Sequence, residues 1–356
     1  MLVKNSVCRR LVAQGLLVAA VLAAPFALAT PGQAQDIKQE TVVIAHRGAS
    51  GYLPEHTLPA KALAYGMRAD YIEQDVVLSK DGVPVVLHDI HLDTTTDVAT
   101  KFPTRKRDDG RYYAIDFTLA EIKTLTVTER FKADSGDQVY SGRFPGEFGM
   151  FKVPTLEEEI KMIQGLNRST GRDVGIYPEI KNPSFHREEG QDISEAVVSV
   201  LEKWGYNNPA SNAFLQCFDW AETKRIRNDL RYQGKMVQLL GENRWGPPEG
   251  TDYDYLKSDD GILEMATVVD GIGPWLPQVI SGLSENGTAV MTPTLIAAQR
   301  AQLLVHPYTL RSDQLPKWAG DINIALKAIF DDAAIDGIFT DFPDQAVQYL
   351  ARNPDA

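Results

Sequence analysis

From residue 41 onward, short apolar runs alternate with longer stretches of mixed polarity. The runs cover residues 41–45, 71–75, 174–179, 213–217, 236–240, 269–272, 302–306 and 336–340. They are mostly apolar throughout rather than alternating, as parallel strands covered on both faces are. Helical patterns fill the gaps. One starts at Thr57 and another at Thr155, where Thr155-x-x-Glu158 has capping-box spacing. Eight such units predict an α/β fold, a (β/α)8 TIM barrel, with a doubly wound open sheet as its competitor on pattern alone. A ninth run, 83–87, follows 76–78 across Ser79-Lys80-Asp81-Gly82. Parallel neighbours need a crossover of about a dozen residues, so this run is expected to pair back antiparallel and bring His88 near Glu73 and Asp75.

Residues 91–153 are polar, charged and poorly periodic, yet contain Tyr112, Tyr113, Phe117, Phe131, Phe144 and Phe148. The expectation is an inserted cap region over the barrel mouth, with enough aromatic material to pack rather than a disordered loop. Residues 1–34 read differently again. Lys4, Arg9 and Arg10 precede an apolar run from 11 to 24, and Ala27-Leu28-Ala29 or Gly32-Gln33-Ala34 supplies a cleavage site. This is the pattern of a secretory signal peptide, leaving a barrel domain over 35–356. The Arg9-Arg10 pair leaves the general and twin-arginine routes both open.

Composition sharpens the picture. The net charge is −12, and removing the three leader cations would take it to −15. Such acidity argues against nucleic acid and anionic membranes as partners. Cys8 lies in the leader, so Cys217 alone remains and no intrachain disulfide can form.

Polar groups gather where the apolar runs end. His46-Arg47-Gly48 follows the first, Glu73-Gln74-Asp75 closes the second, and Glu179-Ile180-Lys181 closes the third. Barrel active sites lie at those ends. Glu73 and Asp75, two apart in a strand, share one face, and like charges so close ask for a cation between them. A divalent metal with hard oxygen ligands fits, Glu179 completing the set. Three carboxylates, one such ion and a phosphodiester leave net negative charge, so Arg47 and Lys181 are expected to face the phosphate. His46 and His88 suit general acid and base catalysis near neutral pH. His56 and His91 lie near the motifs without a strand-end position, His186 reads as a loop residue, and His306 either lines the pocket or packs in the core. There is no glycine-rich phosphate loop, zinc spacing or serine elbow.

Taken together, His46-Arg47-Gly48, Pro54-Glu55-x-Thr57, Glu73-x-Asp75, His88-Asp89, Glu179-Ile180-Lys181, the segments 215–219 and 305–308, and Asp336-Gly337-x-x-Thr340-Asp341 resemble the glycerophosphodiester phosphodiesterases, above all their bacterial periplasmic members. The likeness runs from about residue 40 to the C-terminus. Many members have Asn where this chain has His56. The resemblance implies a barrel with a cap, Glu73, Asp75 and Glu179 holding Ca2+ (with Mg2+ as the alternative), His46 and His88 as acid and base, and Arg47 on the phosphate. It implies hydrolysis of glycerophosphodiesters to glycerol 3-phosphate and an alcohol, with broad head-group tolerance, in the periplasm. Expected partners are these small molecules, with no stable membrane insertion. The rival readings are a catalytically silent secreted binding or adhesion protein on the same barrel, and a phospholipase acting on intact lipids.

Overall fold

The structure is a computed structural model that describes residues 41–146, 149–246, 248 and 250–354; the leader read over residues 1–34 lies outside the described residues. Its strands are β1 (Val42–Ala45), β2 (Tyr71–Leu78), β3 (Pro84–Val86), β4 (Gly175–Ile180), β5 (Phe214–Cys217), β6 (Lys235–Leu240), β7 (Gly271–Pro274), β8 (Ile280–Leu283), β9 (Ala289–Met291), β10 (Leu304–Val305) and β11 (Gly337–Thr340). Eight of them run parallel in the order β10-β7-β6-β5-β4-β2-β1-β11, a nearly closed barrel with helices between strands. Each apolar run of the sequence supplies one of these strands. The last gap is bridged without a strand ladder. Leu310 N donates to Phe339 O at 2.9 Å, Phe339 N to Pro307 O at 3.0 Å, and the Asp336 carboxylate accepts from Val305 N at 2.9 Å.

Burial on both faces explains the apolar runs. The inner faces pack Ile44, Tyr71, Tyr177, Phe214, Val237 and Phe339 inside the barrel. The outer faces pack Val43, Ile72, Ile176, Leu215 and Ile338 against the helices. Helix starts are set locally. Thr57 caps Leu58–Gly66, with Pro59 in its first turn, and Thr155 caps Leu156–Thr170 through a complete capping box.

The hairpin forms as the sequence suggests. Val76 pairs with Val86, Val77 with Val85 and Leu78 with Pro84, antiparallel. Gly82 takes φ +74° in the turn, a conformation that costs glycine little. Alternation along β2 then divides its side chains. Val76 joins the main core, while Val77, with Val85 and Leu87, joins a second cluster built from Leu92, Phe117, Ile122, Leu125, Phe151 and Val153 of the insertion. The segment 91–153 is therefore seated on the hairpin by its own apolar core.

Candidate active site

A cavity of about 210 Å3 opens at the C-terminal ends of the strands. His46, Arg47, Glu73, Asp75, His88, Glu179 and Lys181, every site residue expected from the sequence, line it. These groups come from β1, β2, β4 and the end of the hairpin. The other half, after β5, β6, β7 and β10, contributes Phe218, Trp245, Trp275 and Tyr308. The cavity is ionic on one side and aromatic on the other.

Glu73, Asp75 and Glu179 are buried, and one oxygen of each lies within 4.8 Å of the others. Burial, then the neighbouring Asp75 charge, pushes the Glu73 carboxyl well above the usual range. Burial likewise lifts Glu179 to about 8, against the pull of Lys181. Burial acts on Asp75 in the same direction, but Lys181 and His56 beside it hold its carboxyl well below the usual range. Asp75 Oδ1 is buried and makes no hydrogen bond. Three convergent hard oxygen donors, one of them without a hydrogen bond, fit a divalent cation. Lys181 stands closer to this cluster than a purely phosphate-facing role suggests. Its Nζ is 2.7 Å from Glu179 Oε1 and 3.7 Å from Asp75 Oδ1.

Each histidine is held the same way. His46 Nδ1 lies 2.5 Å from Asp341 Oδ1, and His88 Nδ1 lies 2.7 Å from Asp89 Oδ1. Arg311 and His46 outweigh burial to keep Asp341 well below the usual carboxylate range, so it is an acceptor only. Nδ1 of His46 therefore carries the hydrogen and Nε2 presents a lone pair; Nε2 is 3.9 Å from Glu73 Oε2. Burial, then Arg47, lowers both rings to about 4, so each is neutral at pH 7. Arg47 is fixed by Glu55, whose oxygens accept from Nη1 at 3.0 and 3.1 Å, while Arg47 N donates to Glu73 Oε2 at 2.7 Å. Arg47 and His56 both take positive φ, 59° and 58°. Backbone strain of this kind collects at functional sites.

Behind β2 lies a buried polar chain that the sequence did not disclose. Lys61 Nζ, with no exposure, sits 3.0 Å from Glu159 Oε2 and 3.2 Å from His56 Nδ1, and it also donates to the carbonyl of Glu73. An ammonium only donates, so His56 Nδ1 accepts and its Nε2–H donates to Asp75 Oδ2 at 2.7 Å. Gln216 Nε2 donates to Glu73 Oε1 at 3.3 Å. The remaining histidines are placed otherwise. His306 is a core residue, its ring against Tyr177 Oη at 2.9 Å. His186 does not lie in a polar loop. It is buried in the short helix Pro183–Glu188, where Nε2 accepts from Leu78 N at 3.1 Å.

The model of the glycerophosphoryl diester phosphodiesterase family matches residues 46–345. A glycerophosphodiester phosphodiesterase of Haemophilus influenzae is 44% identical over 354 residues, covering 95% of this chain and 97% of that protein. One of Treponema pallidum is 36% identical over 329 residues, 88% of this chain and 92% of that protein. Among solved structures, an Oleispira antarctica phosphodiesterase in complex with the product sn-glycerol-3-phosphate superposes with a TM-score of 0.58 at 23% identity, covering 87% of this chain and 96% of that one.

Proposed function

We propose, from the premise that this chain belongs to the glycerophosphoryl diester phosphodiesterase family, a division of labour among its residues for the family's reaction. The chain is a hydrolase that cleaves glycerophosphodiesters to glycerol 3-phosphate and an alcohol. The observation that carries the assignment of roles is the single cavity in which two aspartate-held histidines and Arg47 face three clustered carboxylates.

Glu73, Asp75 and Glu179 hold a divalent cation, Ca2+ in our reading, which when bound supplies positive charge to a phosphoryl oxygen. Arg47, fixed by Glu55, offers its remaining N–H groups to the phosphate, and Lys181 adds a second positive charge. His46 and His88 are the general base and acid. A neutral ring with Nε2 open to the cavity accepts a proton from the attacking oxygen, a water or the glycerol 2-hydroxyl. The opposite ring must first take up a proton at Nε2, against the burial and the Arg47 charge that lower it to about 4, and then gives that proton to the departing alkoxide. Their aspartates stabilise the imidazolium that each ring passes through. Residues 91–153 form the cap; the ion pairs of Arg130 with Glu55 and Asp89 and of Arg143 with Asp341 support this reading. The head group is broadly tolerated. The leader directs the protein to the periplasm, a reading supported by its cationic start, apolar run and small-residue sites.

Turnover of glycerophosphocholine by purified protein tests the assignment. EDTA should abolish it and Ca2+ restore it. Full activity of a protein verified to be metal-free would end the metal reading, while leaving the histidine roles to their own variants.

A further inference from the structure

Both histidine–aspartate pairs are completed from outside the barrel. Asp89, which holds His88, accepts from Arg130 Nη1 at 2.6 Å. Asp341, which holds His46, accepts from Arg143 Nη2 at 2.7 Å and from Arg311 at 2.8 Å. Arg130 and Arg143 belong to the insertion, and their side chains are only 18% and 5% exposed. Each guanidinium is forked between two carboxylates. Arg130 also donates to Glu55 at 2.6 and 3.0 Å, the same Glu55 that fixes Arg47. Arg143 also donates to Asp313 at 2.8 and 3.1 Å. The two arginines flank one hairpin-like loop, in which Phe131 pairs with Gln138 and Val139 N donates to Arg130 O at 2.9 Å.

We propose that the insertion is a positioning clamp for catalysis. Through Arg130 it aligns His88 and Arg47 together, and through Arg143 it aligns His46. The proposal rests on the acid–base reading given above and adds to it the source of the alignment. The chemistry favours arginine at both positions. A planar guanidinium bridges two carboxylates in fixed geometry, whereas a lysine ammonium is a point charge that satisfies one pair well. Without its insertion arginine each carboxylate is held by less, Asp341 by Arg311 and Asp89 by Thr94, and it and the imidazole Nε2 gain freedom to swing. Displacements of about 1 Å from reacting atoms cost about 10²-fold in rate.

The two arginines should leave different kinetic signatures. Arg143 touches only the His46 side, so Arg143→Ala should lower kcat by about tenfold to 10²-fold with KM within about threefold of the parent. Arg130 also secures Arg47, so Arg130→Ala should lower kcat on the same scale and raise KM as well. Millimolar guanidinium should restore part of the lost kcat in both, and equimolar methylammonium should not. Arg107 of the same insertion pairs with Asp116 and Glu189, remote from the cavity. Arg107→Ala reports what loosening the insertion does by itself and should leave kcat unchanged.

Folded Arg130→Ala and Arg143→Ala proteins whose kcat matches that of Arg107→Ala would overturn the clamp. So would a lost kcat that guanidinium and methylammonium restore equally. Should an alanine variant not fold, Arg130→Lys and Arg143→Lys decide: a severalfold loss of kcat supports the clamp, and parent kcat overturns it. The underlying reading fails separately, if His46→Ala and His88→Ala keep parent activity.

Discussion

His46 and His88 present the same face to the cavity, with Nδ1 on an aspartate and Nε2 open. Replacing either ring by alanine removes a positioned proton carrier, and kcat should fall by about 10²-fold or more in each case. His186→Ala is the contrast. It leaves Leu78 N without its acceptor, so it should lower the melting temperature while the folded fraction keeps its kcat. Steady-state kinetics corrected for folded fraction checks all three, and an unimpaired His88→Ala would remove that ring from the mechanism. The carboxylates make a second residue-scale prediction. Glu179 has its carboxyl lifted to about 8, so below that pH a cation entering the cluster must displace a proton. Cation affinity should therefore climb as pH rises from 6 through 8, and the raised Glu73 carboxyl acts in the same direction. Calorimetry in buffers of differing ionisation enthalpy should register proton release at pH 7 that shrinks as the pH is raised past 8. Glu73→Gln should weaken cation binding strongly at every pH, because it removes a ligand charge with little change of shape.

Among elements, the strands were legible because a parallel strand buried on both faces must be apolar along its length. The strand-end chemistry was legible for a related reason, since His46, Glu73, Asp75 and Glu179 interrupt or close such runs. The hairpin followed from chain length alone, as four turn residues cannot make a parallel crossover. What stayed hidden depends on partners distant in sequence. Arg130 and Arg143 look like ordinary charges in a polar segment, and nothing local marks them as facing Asp89 and Asp341. Lys61 and Glu159 are charged residues of two helices, yet both have no exposure and face each other between Leu58–Gly66 and Leu156–Thr170. His56 is also explained here. Its φ of +58° is a conformation in which Asn and His are over-represented among non-glycine residues. Lys61→Met tests the buried chain. It leaves Glu159 without its ion-pair partner and the Glu73 carbonyl without its donor, and breaking a buried pair costs about 3–5 kcal/mol. Urea denaturation should show a loss on that scale; a change under about 1 kcal/mol would mean that the pair contributes little.

For the molecule as a whole, the question is which diesters fit. The ionic half of the cavity addresses the phosphate and glycerol shared by every substrate. The aromatic half could not be foreseen, because Phe218, Trp245, Trp275 and Tyr308 stand one by one after four different strands. Trp245 and Trp275 meet edge to face at 5.4 Å, as do Phe218 and Tyr308 at 5.8 Å. This wall offers flat apolar surface with no carboxylate of its own, so it favours a quaternary ammonium only by cation–π attraction, about 0.5–2 kcal/mol. Glycerophosphocholine, glycerophosphoethanolamine and glycerophosphoglycerol should thus be cleaved with kcat/KM values within about tenfold of one another, a spread of roughly 1.4 kcal/mol. Intact phosphatidylcholine should be far slower. The cavity's volume of about 210 Å3 lies below the roughly 300–1,000 Å3 of pockets for drug-sized ligands and leaves little room for two acyl chains. Among the described residues no helix is long and apolar enough to cross a membrane. Measuring kcat/KM for the three deacylated diesters and the intact lipid side by side decides the matter. Faster cleavage of the intact lipid, or a preference above a thousandfold for one head group, would show that the aromatic wall selects substrates far more sharply than its chemistry implies.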